Sequence, residues 1–159
     1  MAERCKLRAA EVLPLMAFGV IAGVSFLAQP AKFLTPALSL ADLVSVGSTL
    51  FSISHLFQLA VLLALALVVP KAKSNGSLAW SLIGLFGLTL ALQQYGVMPP
   101  LEARLVMLRE GLQPPPSLLH LVYIGLELLK LSALLGLAWL PPRTRSRQRH
   151  SDATGAALQ

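Results

Sequence analysis

The chain has 159 residues, of which 55% are hydrophobic and only 13% charged, and its mean hydropathy is +0.70. Such values belong to membrane proteins and exclude an ordinary water-soluble globular domain. The formal charge of +6 does not point to nucleic acid, because the basic residues gather at the ends and in short connections, and the single cysteine, Cys5, excludes an intrachain disulfide or a cysteine-based metal knuckle.

Residues 1–11 form a basic N-terminal stretch in which Cys5 is open only to an interchain bridge or lipidation. The first apolar run, residues 12–30, is long enough to cross the roughly 30 Å hydrocarbon core as a helix. A basic start before an apolar core also resembles a signal peptide. Cleavage after Ala28, however, would set Phe26 where a small residue is wanted and Pro30 just beyond, so the run is read as a retained span. Gly19 and Gly23 make a GxxxG which, like the small faces of Gly84 with Gly87 and of Ser132 with Gly136 further on, is expected to pack closely inside a bundle, and Ser25 and Gln29 are polar groups near the end of the span.

Ser39 with Asp42 three residues later is a capping box, so a second helix starts before its apolar run over 48–69. Ser45, Ser48, Ser52, His55 and Gln58 lie within about 140° of arc on that helix at 100° per residue. Pro70 is expected to end it. The connection from Lys71 to Gly76 carries an Asn-Gly turn signal. A third span over 77–97 brings Gln93, Gln94 and Tyr95 near its end, and Pro99 and Pro100 are expected to close it. Beyond them Leu101, Leu105, Leu108 and Leu112 share one helical face, which reads either as a short interfacial helix or as a solvated helical loop. Pro114, Pro115 and Pro116 introduce the last span, 118–140.

That last span holds Glu127 and Lys130, three residues apart and able to pair on one face. A charge at the bilayer centre costs roughly 2.5–3.5 kcal/mol on insertion scales, so two cost roughly 5–7. Eleven leucines at roughly −0.5 kcal/mol each return about 5. The helix alone inserts marginally, and pairing with an inward-facing stripe must supply the rest. Measured from His120, Tyr123, Glu127 and Lys130 fall at about −60°, −20° and −80°, one narrow stripe.

Backbone groups cannot stay unpaired in lipid, so all four runs are helical and the fold class is an all-α integral membrane four-helix bundle. Nine Lys and Arg (Arg4, Lys6, Arg8, Lys71, Lys73, Arg143, Arg145, Arg147, Arg149) lie on one side and three (Lys32, Arg104, Arg109) on the other. The positive-inside rule then predicts a multi-pass protein with both termini cytoplasmic, most simply in a bacterial inner membrane. The tail, residues 141–159, is arginine-rich with no apolar pattern, and is expected to be disordered and to meet anionic lipid headgroups rather than nucleic acid.

These polar groups converge on one level and leave two readings open. One is interhelical glue, worth about 0.6 kcal/mol per hydrogen bond. The other is a polar site opening to the outer side for a small solute, ion or proton, made by His55, His120, Glu127, Lys130, Gln58, Tyr123, Gln93 and Gln94. Haem or a transition metal held by His55 and His120 is a third option, hindered by a depth mismatch of about 9 Å at 1.5 Å per residue. A purely structural subunit with a membrane-protein partner is a fourth. No GxxxxGK[ST], HExxH, GxSxG or CxxC occurs, and the expected protein is non-enzymatic, with no resident cofactor.

Ser-Ile-Ser-His55-Leu-Phe-Gln in the second helix, Gln93-Gln94-Tyr95-Gly-Val-Met-Pro99-Pro100 leaving the third, and Leu-Leu-His120-Leu-Val-Tyr opening the fourth resemble the small membrane proteins grouped as domain of unknown function 4149, or transmembrane-protein-205-like. The resemblance covers residues 13–140 and implies a four-helix membrane architecture, with interest in His55 and His120 but no defined reaction. The chain departs from the family's pattern seven residues after His120, where a small polar amide is usual and Glu127 stands here.

Overall fold

The computed structural model describes residues 2–31, 34 and 39–142. Helix α1 (Ala2–Ala22) runs without a break through a π-helical segment, Gly23–Ala28, into a last turn, α2 (Gln29–Ala31). Then come α3 (Leu40–Ala72) and α4 (Gly76–Ala91), the latter continuing through a second π segment, Leu92–Val97, into α5 (Met98–Arg109), and finally α6 (Leu119–Trp139). Four stretches are long and apolar enough to cross a membrane: Arg8–Ala31, Ser45–Ala72, Gly76–Leu108 and Leu119–Trp139. The arginine-rich tail from Arg143 and the loop position Lys32 lie outside the described residues.

Local chemistry explains most boundaries and revises several. The Ser39–Asp42 capping box forms, with the Asp42 N–H donating to Ser39 Oγ and the Ser39 N–H to the Asp42 carboxylate, both at 3.2 Å. Pro70 does not end α3. A proline inside a helix gives up its own N–H and crowds the carbonyl four residues before it, but the neighbouring carbonyls can still accept, and that of Val69 receives the Lys73 N–H at 3.1 Å, so the helix runs on to Ala72. The chain reverses over Lys73–Asn75, within the connection that carries the turn signal, and Asn75 Oδ1 accepts from the Leu78 N–H at 3.0 Å and caps α4. Pro99 and Pro100 likewise open α5 instead of closing the helix before it, since the first turn of a helix has no intrahelical use for those N–H groups. Gly111, at φ 76°, then ends α5 in the left-handed region where glycine is favoured.

The rods pack in a ring. α1 contacts α3 and α6, and α4 contacts α3 and α6, so α1 faces α4 and α3 faces α6 across the centre. Chain neighbours are antiparallel, which sets the start of α1, the α3–α4 connection and the end of α6 at one end of the bundle. Lys73 stitches that end: its Nζ donates to the Leu140 carbonyl at 2.7 Å, and the Ser74 N–H donates to the Pro141 carbonyl at 3.0 Å. Trp80 and Trp139 project from the same end, as aromatic anchors at a membrane interface do.

The core is a column of Ala17, Ile21, Val61, Leu65, Ile83, Phe86, Leu134 and Leu137. Outside it, Met16, Ile53, Leu63, Leu67, Leu88 and Leu121 are all more than half exposed, whereas Glu127 and Lys130 are 1% and 0% exposed. A soluble protein rarely exposes so much contiguous apolar surface. Leucine outside and paired charge inside is the distribution that lipid as solvent demands.

Candidate functional site

On α6 the inward stripe carries Glu127 and Lys130, whose Nζ and Oε2 pair at 2.8 Å. Each neighbouring rod reaches this pair. From the first π segment, Ser25 Oγ donates to Glu127 Oε1 at 2.8 Å. From the second, Gln93 Nε2 donates to Glu127 Oε2 at 2.8 Å and to the Tyr123 carbonyl at 3.1 Å. From α3, across the ring, Gln58 Oε1 accepts from Lys130 Nζ, and Gln58 Nε2 in turn donates to Ser54 Oγ at 3.0 Å. A single ion pair thereby links all four rods. Both uncharged donors to the carboxylate stand in π-helical turns, where an inserted residue re-aims a side chain that an α-helix would carry past its partner.

Two cavities flank the pair, at the end of the bundle away from the chain termini. The larger, about 270 Å³, lies between the first π segment with α2, α3, α5 and α6. Its walls include Phe26, Phe51, Leu101, Leu105, Ile124 and His120, with Ser25 and Glu127 reaching into it. The smaller, about 30 Å³, is polar and is lined by Ser52, His55, Gln58, Gln93, Gln94 and Glu102 among others. Phe51 and Tyr123 border both, as an edge-to-face ring pair with centroids 5.0 Å apart.

The expected site residues therefore divide. Glu127, Lys130, Gln58 and Gln93 form one hydrogen-bonded centre. Tyr123 contributes its carbonyl and a wall. His120 is exposed at the first turn of α6 beside the larger cavity, while His55 and Gln94, both half-buried, line the smaller one. The two histidines thus border different cavities. Among the described residues no group of three or more His, Cys, Asp or Glu side chains is placed to hold a metal ion.

The serines of the α3 stripe stay outside the hydrogen-bonded centre, Ser48 on the wall of the larger cavity and Ser52 on that of the smaller. Ser45 and Ser52 are exposed, and the Ser48 and Ser52 hydroxyls donate to the carbonyls of Ser45 at 2.8 Å and Ser48 at 3.1 Å on their own helix. Ser54, Gln58, Val61, Leu65 and Val69 are the residues α3 buries, a stripe centred about 90° from the serine arc at 100° per residue. Ser54, four residues before Gln58, was not among the residues the sequence singled out. Gly19 and Gly84 face open space, whereas Gly136 meets Leu82 Cδ1, which would stand 3.1 Å from an added Cβ, so the close glycine contact of the bundle is on α6 and not at the GxxxG of α1.

Comparison of the chain with family models, with curated proteins and with solved structures found no match.

Proposed function

We propose that this is a non-enzymatic multi-pass protein, with both termini cytoplasmic in a bacterial inner membrane, whose Glu127–Lys130 centre is a binding site for a small solute that enters from the outer side. The observation that carries the reading is that Glu127, a carboxylate in the middle of a membrane span, lines a cavity of about 270 Å³. Glue alone needs hydrogen bonds but no cavity beside them. Intramembrane ionisable groups mark ligand or ion pathways by default, and pockets between bundle helices are the usual place for them. α5 belongs to this arrangement as a lid lying along the interface, because Leu101 and Leu105 roof the cavity. The kinship with domain of unknown function 4149 is part of the same proposal and rests on the segments around His55, Gln93–Pro100 and His120.

Thiol labelling in intact cells tests the opening and its side. With Cys5→Ser as background, Ser48→Cys at the cavity wall is expected to react with a small membrane-impermeant methanethiosulfonate applied outside. Ala79→Cys, buried at the opposite end, is expected to stay unreactive, and Ser74→Cys to react only after the cells are opened. Reaction at Ser48→Cys only from the cytoplasmic side, or none from either side, would refute the outward-opening site.

A further inference from the structure

We infer that the larger cavity takes a neutral, hydroxyl-bearing hydrophobe of about one aromatic ring in size, bound by its O–H to Glu127 Oε1; this rests on the binding-site reading above and narrows it to a ligand class. Charge comes first. Glu127 is the acidic group on the cavity wall, and its charge is already balanced by Lys130, which lines neither cavity and whose ammonium is engaged by Glu127 Oε2 and Gln58 Oε1. A cationic ligand would arrive without a countercharge in a low-dielectric site, and an anionic one would face a carboxylate with no lysine or arginine among the described lining residues. A neutral head escapes both penalties.

Hydrogen bonding then fixes what that head must do. A carboxylate offers about four acceptor positions, two per oxygen. Oε2 takes two donors, Gln93 Nε2 and Lys130 Nζ, while among the described residues Ser25 Oγ is the one donor to Oε1. Ser25 also lines the larger cavity, so the remaining acceptor position on Oε1 belongs to the oxygen on the cavity side. A ligand that bonds Oε1 must therefore donate, which an ether or ketone cannot do.

Size and lining set the body. A volume of about 270 Å³ exceeds the roughly 150 Å³ of an engineered apolar cavity that holds benzene, and falls just short of the roughly 300–1,000 Å³ of pockets for drug-sized ligands. Phe26, Phe51 and Tyr123 supply ring faces and edges, and Leu101, Leu105 and Ile124 the aliphatic remainder. A substituted phenol matches all three requirements.

The full chain in lipid nanodiscs, titrated with 4-propylphenol, 4-propylanisole, 4-propylbenzoate and 4-propylbenzylamine against empty nanodiscs, decides the class. Saturable binding of the phenol at least ten-fold tighter than of the other three is expected. Leu105→Trp, which fills the cavity from α5, should abolish binding of the phenol. The double substitution Glu127→Leu with Lys130→Leu should leave phenol and anisole binding alike. Equal affinities in the wild type, or a preference for the amine or the acid that Leu105→Trp removes, would overturn the ligand class and leave the site standing. Absence of saturable binding by any member would overturn the ligand class too, and only if Ser48→Cys also failed to react from outside would the site itself fall.

Discussion

A carboxylate or an ammonium alone at the bilayer centre is expensive, and removing one partner of a buried pair costs about 3–5 kcal/mol because the other is left uncompensated. Glu127→Gln keeps the shape of the side chain and its contact with Gln93, but leaves the Lys130 ammonium without a countercharge. Purification in mild detergent should show a folded yield several-fold lower for this variant. Glu127→Leu with Lys130→Leu should restore the yield, since a well-packed apolar pair is often as stable as a buried ionic one. Recovery of Glu127→Gln at the wild-type level would show that the pair is not buried as described. The spacing of Glu127 and Lys130 made their pairing readable from the sequence, and Gln58 and Gln93 stood out as amides inside spans. Ser54 did not. One serine among several on α3 carries no mark of which way it faces until the apolar residues at 61, 65 and 69 are seen to set the inward direction. His55 and His120 drew attention by type, yet the rings of Phe51 and Tyr123 stand between the cavities they border.

At the level of elements, hydropathy and capping revealed the four spans and the small face at Gly136 packs closely as expected, whereas the prolines and the GxxxG of α1 misled, because their effect depends on position within a turn and on which way a face looks. Pro99 and Pro100 read as a stop only if the helix before them is assumed to end; the π segment Leu92–Val97 carries the chain into them and makes them a start. π turns themselves left no trace in the sequence, since their residues have no distinctive composition and their register answers to a partner on another rod. Glycines are similar. A GxxxG signals close approach only when its face turns inward, and that of α1 does not. Gly136→Leu should therefore force α4 and α6 apart at Leu82 and destabilise the fold by about 1–3 kcal/mol, the usual range for overpacking, while Gly19→Leu should be close to neutral. Unfolding in mixed micelles with rising SDS measures both. Equal losses would mean that the two glycines occupy equivalent surroundings.

For the whole molecule, the end that gathers the start of α1 and the end of α6 is closed by Lys73, which is 1% exposed and places its ammonium on the Leu140 carbonyl at the C-cap of α6, where the helix dipole welcomes positive charge. Burial lowers the Lys73 pKa from its usual value, an effect that Glu11 on α1 opposes. A lysine whose folded pKa lies below its unfolded one binds fewer protons when folded. The penalty is fully present at low pH and disappears as pH rises through the folded value toward about 10.5, so stability should climb in that window. Lys73→Met should flatten that rise in SDS titrations run at pH 8 to 10.5, and an unchanged slope would show that Lys73 does not set it. The ring order has a further effect on how the protein is made. Both charges of the central pair belong to α6, and their partners Ser25, Gln58 and Gln93 stand on the three spans that precede it in the chain. The charged groups of those earlier spans, Arg8, Glu11, Lys71, Glu102 and Arg104, lie toward their ends, so the one segment with charge at its middle follows helices that already hold its acceptor and donors.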